Sequence, residues 1–132
     1  MTEKNDGSFL FVCVHNAGRS QIAEAFAKRR GLKALSAGTM PSSSVNPIVV
    51  QAMEDRGVDI SHNKPKLLTN EMIAQAALVV TMGCSVEEVC PRRMLAKMQK
   101  KLVDWNIEDP KGKTIEEIRK IRDEIERKVA GL

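Results

Sequence analysis

The stretch FLFVCVHNAGRSQIAEAF, residues 9–26, decides the fold. An apolar run ends at Cys13, passes through small and polar residues to Arg19 and Ser20, and continues in a helical pattern. Ser8 to Val14 is apolar on both alternating sets, as a central strand of a parallel sheet covered on two faces must be. Behind the loop, Ile22, Ala23, Phe26 and Ala27 fall on one face of a helix expected over residues 21–30. Ser20 is placed to cap that helix, and Gly31 supplies a left-handed stop. A strand, tight loop and helix in this order open a doubly wound sheet, where ligands bind beyond the carboxyl ends of the strands.

The rest of the chain extends the pattern. Residues 33–37 read as a second strand, followed by Gly38 and the turn-rich PSSS. Asn46-Pro47 is a strong helix start, a capping side chain followed by proline at the first helical position. Ile48, Val49, Ala52 and Met53 form its apolar face, and Gly57 ends it. Residues 67–75 predict a short helix, 77–82 (ALVVTM) a third buried strand, and 101–105 a weaker fourth. Thr114 and Glu117 form a capping box before a last helix whose Ile118, Ile121, Ile125 and Val129 keep helical spacing. This alternation predicts a single α/β domain over residues 8–132, a parallel sheet with helices on both faces, behind a flexible tail at 1–7.

Bulk properties narrow the function. The 132 residues carry a net charge of +4, but the basic residues are interleaved with glutamates and aromatics are only 3%. That is a solvated surface and not a nucleic-acid stripe. No segment is long and apolar enough to span a bilayer, and no signal-peptide pattern is present. Three cysteines, an odd number, do not form a secreted disulfide scaffold. The expectation is a cytoplasmic protein whose thiols are kept reduced.

The loop after Cys13 then gains a chemical meaning. Backbone amides in Val14–Gly18 can nest an anion, and the helix start adds positive partial charge. Arg19 offers a planar fork to a tetrahedral oxyanion. The same field favours a thiolate at Cys13, and so a nucleophile. The small residues Ala17 and Gly18 let the backbone approach closely. A cysteine packed as a small hydrophobe is the competing explanation.

CVHNAGRS resembles the active-site loop of the low-molecular-weight protein tyrosine phosphatase fold, and the chain is most similar to the arsenate reductases sharing that fold. LSAGT at 35–39, GVDIS at 57–61, VVTMGC at 79–84 and the Asp-Pro before the last helix carry the same resemblance. It implies a four-stranded parallel sheet of order 2-1-3-4 and a monomeric enzyme acting without a metal. It implies Cys13 as nucleophile, Arg19 as oxyanion binder, Asn16 as a loop-shaping residue and Ser20 as hydrogen-bond partner of the thiolate. In some relatives the positions matched by Asn16 and Glu24 help hold a potassium ion.

Attack of a thiolate on arsenate or a phosphate ester expels an oxygen, which needs a proton. Asp109, stiffened by Pro110 and matching the family's Asp-Pro, is the candidate acid. Asp104 and Glu108 are its neighbours, and Asp-Pro pairs also occur in solvated turns. Cys84 and Cys90 in GCSVEEVCP follow the third strand, which brings them to the same sheet edge as Cys13. Two cysteines without a matching pair do not make a structural zinc site. A dithiol can supply the two electrons of arsenate reduction, through a Cys13–Cys84 and then a Cys84–Cys90 disulfide. The family's thioredoxin-coupled members resemble this arrangement, which implies thioredoxin or a similar external dithiol as reductant. A tyrosine phosphatase working through phosphocysteine is the alternative enzyme. A non-enzymatic phosphoryl carrier would need neither the acid nor the extra thiols.

His15 and His62 are expected at the surface, and Trp105 in the core rather than in a substrate wall.

Overall fold

The computed structural model describes residues 7–82 and 102–132. Four strands form one parallel sheet of order β2-β1-β3-β4, as expected. They are β1 (Ser8–Cys13), β2 (Ala34–Gly38), β3 (Ala76–Thr81) and β4 (Leu102–Asp104). Cys13 pairs with Gly38 in register, so both stand at the carboxyl end of neighbouring strands. Among the described residues the helices are α1 (Arg19–Arg29), α2 (Pro47–Glu54), α3 (Asn70–Gln75) and α4 (Ile115–Ala130).

The period-two geometry of β1 divides the core. Phe11 and Cys13 face the side covered by α1, α2 and α4, among Ile22, Phe26, Val49, Met53, Ile118 and Ile125. Leu10 and Val12 face the opposite side, with Ala37, Leu68, Ile73 and Val79. This two-sided burial explains why β1 is apolar at consecutive positions. Trp105 packs on Phe11 with ring centroids 5.7 Å apart, in the core as expected.

Several helix ends follow local chemistry. The Asn46 side chain accepts from Ile48 N at 2.9 Å, with Pro47 at the first helical position. Thr114 and Glu117 complete the reciprocal capping box of α4. Gly31 and Gly57 have positive φ just past α1 and α2.

Three expectations need correction. Ser20 does not cap α1, which starts two residues earlier than expected, at Arg19, with Gly18 at the cap position and no side-chain cap bond; Ser20 is buried and turned to the sulfur of Cys13. Ile48 is exposed, and the buried face of α2 is Val49, Ala52 and Met53. The third helix begins at Asn70, capped by Thr69, because Leu68 N is already committed to Gly38 O at the edge of β2.

Candidate active site

The loop from Val14 to Gly18 is held from outside by its carbonyls. Thr39 N donates to Cys13 O, Met40 N to Val14 O, Ser42 N to His15 O and Asn46 N to Ala17 O, at 2.8–3.3 Å. With these acceptors drawn outward, the amide side of the loop turns toward the thiol. Asn16 N donates to Cys13 Sγ at 3.2 Å. Gly38 makes this zipping possible. A Cβ there would lie 2.6 Å from Val14 O and 2.9 Å from Asn16 N.

Asn16 sits in the left-handed region at φ 51°, where asparagine is tolerated. Its amide orientation is settled by chemistry. Lys66 N, which can only donate, meets Asn16 Oδ1 at 2.8 Å. The other end is therefore the amino group, and it donates to Ser20 Oγ at 2.8 Å. The Ser20 oxygen is then an acceptor, and its proton is available to Cys13 Sγ, 2.9 Å away. Two donors, Asn16 N and the Ser20 hydroxyl, thus point at one sulfur. Gln21 closes the arrangement from behind. Its Nε2 bonds both Asn16 O and Oδ1, and its Oε1 accepts from Asn63 Nδ2 at 3.1 Å.

Arg19 is buried, and Nη1 donates to Met82 O at 3.0 Å and to Ile107 O at 2.9 Å. One nitrogen thus ties together the chain just beyond β3 and the segment after β4. Nη2 lies 3.8 Å from Asp109 Oδ2. Of the three acidic candidates Asp104, Glu108 and Asp109, only Asp109 lines the cavity that holds Cys13. Asp104 accepts from Thr81 Oγ1 on the sheet, and Glu108 pairs with Lys113. The Glu108 hydrogen bond raises the Lys113 ammonium above its usual range. Lys111 N donates to Asp109 Oδ1 at 3.0 Å, which fixes the carboxylate over the turn.

The cavity has a volume of about 330 Å³ and brings together the predicted Cys13, Ala17, Gly18, Arg19 and Asp109. Ser20 and Asn16 act from beneath it. Cys84 and Cys90 lie outside the described residues. His15 is exposed as expected, but it also lines the cavity, with Nδ1 3.0 Å from Met40 O. His62 is exposed in a turn. Sequence reasoning missed Gly38, Gln21 and Asn63. The motif LSAGT held the first of these, but its contact is with a loop two dozen residues earlier, which no local pattern reports.

Asn16 and Glu24 do not fit a potassium site. The buried Glu24 carboxylate is met by Lys28 Nζ at 2.6 Å, Lys66 Nζ at 3.7 Å and the Ser36 hydroxyl. Asn16 Oδ1 is already taken by Lys66 N and Gln21 Nε2. Two ammonium groups balance the buried charge where a cation would sit. Among the described residues, no group of three or more His, Cys, Asp or Glu is placed to hold a metal. No helix among them is long and apolar enough to cross a membrane.

A parallel sheet of order 2-1-3-4 with a cysteine loop beyond its central strand defines a thiol-based oxyanion site. The chain belongs to the low molecular weight phosphotyrosine protein phosphatase family, whose model matches residues 8–132. Within that family it is similar to arsenate reductases. A putative arsenate reductase of Halobacterium salinarum is 35% identical, over 100% of this chain and 94% of its own. A solved arsenate reductase in a phosphate-binding state is 32% identical with a TM-score of 0.81, covering 95% of both chains. A thioredoxin-dependent arsenate reductase of Corynebacterium glutamicum is 37% identical with a TM-score of 0.75, over 96% of this chain and 60% of that one.

Proposed function

We propose that this protein reduces arsenate to arsenite, with Cys13 as nucleophile, Asp109 as acid and Cys84 and Cys90 as the electron-supplying pair. The observation that carries the choice over a tyrosine phosphatase is where the aromatic residues lie. The chain has three phenylalanines, one tryptophan and no tyrosine. Phe11 and Phe26 are buried, and Phe9 and Trp105 pack against the same core. None is left to wall a phosphotyrosine slot. The cavity is instead edged by Ser42, Ser43, Ser44, Asn46 and Lys111, which suit a small charged oxyanion.

In this reading the Arg19 fork and the loop amides hold arsenate against the sulfur. The Cys13 thiolate attacks arsenic, and an oxygen leaves as water with a proton from Asp109. The Cys84 thiolate then attacks Cys13 Sγ. A Cys13–Cys84 disulfide forms, the sulfur–arsenic electron pair stays with arsenic, and arsenite departs. Cys90 attacks Cys84, releasing the Cys13 thiolate and leaving a Cys84–Cys90 disulfide. An external dithiol, thioredoxin or a similar protein, reduces it. The similarity to a thioredoxin-dependent enzyme supports that reductant. Residues 8–132 act as one catalytic domain, and the protein works as a cytoplasmic monomer.

The test is thioredoxin-coupled NADPH oxidation with arsenate, for the wild type, Cys84→Ser and Cys90→Ser, beside hydrolysis of an aryl phosphate. Turnover that both serine variants abolish, with ester hydrolysis retained, is expected. No arsenate turnover with any dithiol, and equal ester cleavage by all three proteins, would make this a phosphatase.

A further inference from the structure

Gly18 carries no positive φ, yet the acid loop packs against it. A Cβ on residue 18 would stand 2.7 Å from Pro110 Cγ, with Pro110 Cδ and Val49 Cγ2 both at 3.6 Å. Pro110 is buried, directly after the half-exposed Asp109. Its ring therefore sits in the space that any other residue at position 18 would fill.

Other contacts also hold the acid loop. The Arg19 bond to Ile107 O fixes the loop's entry. The Lys113–Glu108 ion pair at 2.9 Å brackets Asp109 and Pro110 from both sides. Lys111 N sets the carboxylate's rotation. None of these fixes the height of the acid above the sulfur. Pro110 against Gly18 does, because it is a hard contact between the acid loop and the nucleophile loop.

We propose that Gly18 is a positioning residue, whose missing side chain sets how closely the Asp109 carboxylate approaches the oxyanion held by Cys13. This rests on the reading of Asp109 as the acid. Carbon atoms in ordinary contact stand about 3.5–4.0 Å apart, so a methyl at position 18 forces Pro110 back by roughly 1 Å. A misplacement of about 1 Å costs on the order of 100-fold when reacting groups must align. Val49 on α2 already stands at contact distance from the added methyl, so the methyl cannot tilt away from Pro110 toward α2.

The experiment is a set of coupled variants: Gly18→Ala, Pro110→Ala, Asp109→Asn and the two doubles that combine Gly18→Ala with each. Turnover of arsenate and of phenyl phosphate is measured for all, with the rate of Cys13 alkylation by iodoacetamide, read by peptide mapping, as a report on the nucleophile loop alone. The expected result is an approximately 100-fold loss for Gly18→Ala with Cys13 alkylation unchanged. The same substitution costs less than about threefold when Pro110 is already alanine, or when Asp109 is already asparagine. An equal loss in all three backgrounds overturns the proposal, as does a loss matched by slower alkylation. If Asp109→Asn leaves both turnovers intact, it is the acid assignment that fails, and the proposal with it. Should Gly18→Ala not fold, recovery of folding in the Pro110→Ala double supports the contact, and its absence refutes it.

Discussion

Gly38→Ala tests whether the second strand shapes the nucleophile loop. The added methyl would lie 2.6 Å from Val14 O and 2.9 Å from Asn16 N, and both are backbone atoms. Neither can swing aside as a side-chain tip would. A carbon and a carbonyl oxygen in contact stand about 3.3–3.6 Å apart, so the loop must retreat by roughly 0.7–1.0 Å. Overpacking of this kind costs about 1–3 kcal/mol. For a chain of this length that lowers Tm by roughly 3–12 °C. The catalytic effect is larger in proportion. The displaced atoms are those that aim Asn16 N at Cys13 Sγ, and a shift near 1 Å corresponds to about 100-fold in rate. Arsenate turnover, aryl phosphate hydrolysis and a thermal melt together read both effects. A variant with kcat/KM within about threefold of wild type and an unchanged Tm would refute the account of Gly38 as a spacer for the loop.

Ser20→Ala is expected to leave the fold intact and to slow Cys13 alkylation at neutral pH by about tenfold, the effect of losing one hydrogen bond to a charged group. Arg19→Lys keeps the charge but cannot bridge Met82 O and Ile107 O while reaching a ligand; a loss of about 1.5–3 kcal/mol in urea unfolding, and of about 100- to 1000-fold in turnover, is expected. Acid should loosen the α2–α4 contact. The Arg119 hydrogen bond holds Asp55 below its usual 3.8. Asp123 is pushed up by partial burial but held lower overall by Arg122 and Arg56. Carboxylates depressed in the fold stabilise it above their unfolded value, and that stability is lost as pH falls through the lower folded one. Unfolding monitored below about pH 4 should therefore steepen, and Asp55→Asn should flatten it.

The order of elements was legible because β1 has to be apolar on both faces and because Asn46-Pro47 and Thr114–Glu117 are strong local signals. The same local rules misled at Ser20. A serine at the start of a helical run reads as a cap, but here its hydroxyl is spent between Asn16 and a sulfur seven residues earlier. Ile48 failed for a similar reason. Helical periodicity cannot tell the edge of an apolar face from its centre. At the site, Cys13, Arg19 and Asp109 could be chosen by their chemistry and resemblance. Gly18 is legible as a small loop residue, but its contact with Pro110 is not, and neither are the spacer Gly38 and the Gln21–Asn63 brace. Their meaning lies in contacts between distant parts of the chain, and only the tertiary arrangement supplies those.

Because Ser20 serves the sulfur, α1 is a helix left open at its start. Its cap residue, Gly18, brings no side-chain oxygen to the first amides, which ordinarily costs roughly a few tenths of a kcal/mol. An oxyanion bound in the loop would meet those amides, and so complete the helix as well as react there. Folding and occupancy then share one equilibrium. A non-reacting oxyanion such as phosphate should raise the melting temperature in proportion to the logarithm of its concentration, and should slow amide exchange in the first turn of α1 before anywhere else. In that sense the substrate finishes a secondary structure that the chain alone leaves incomplete.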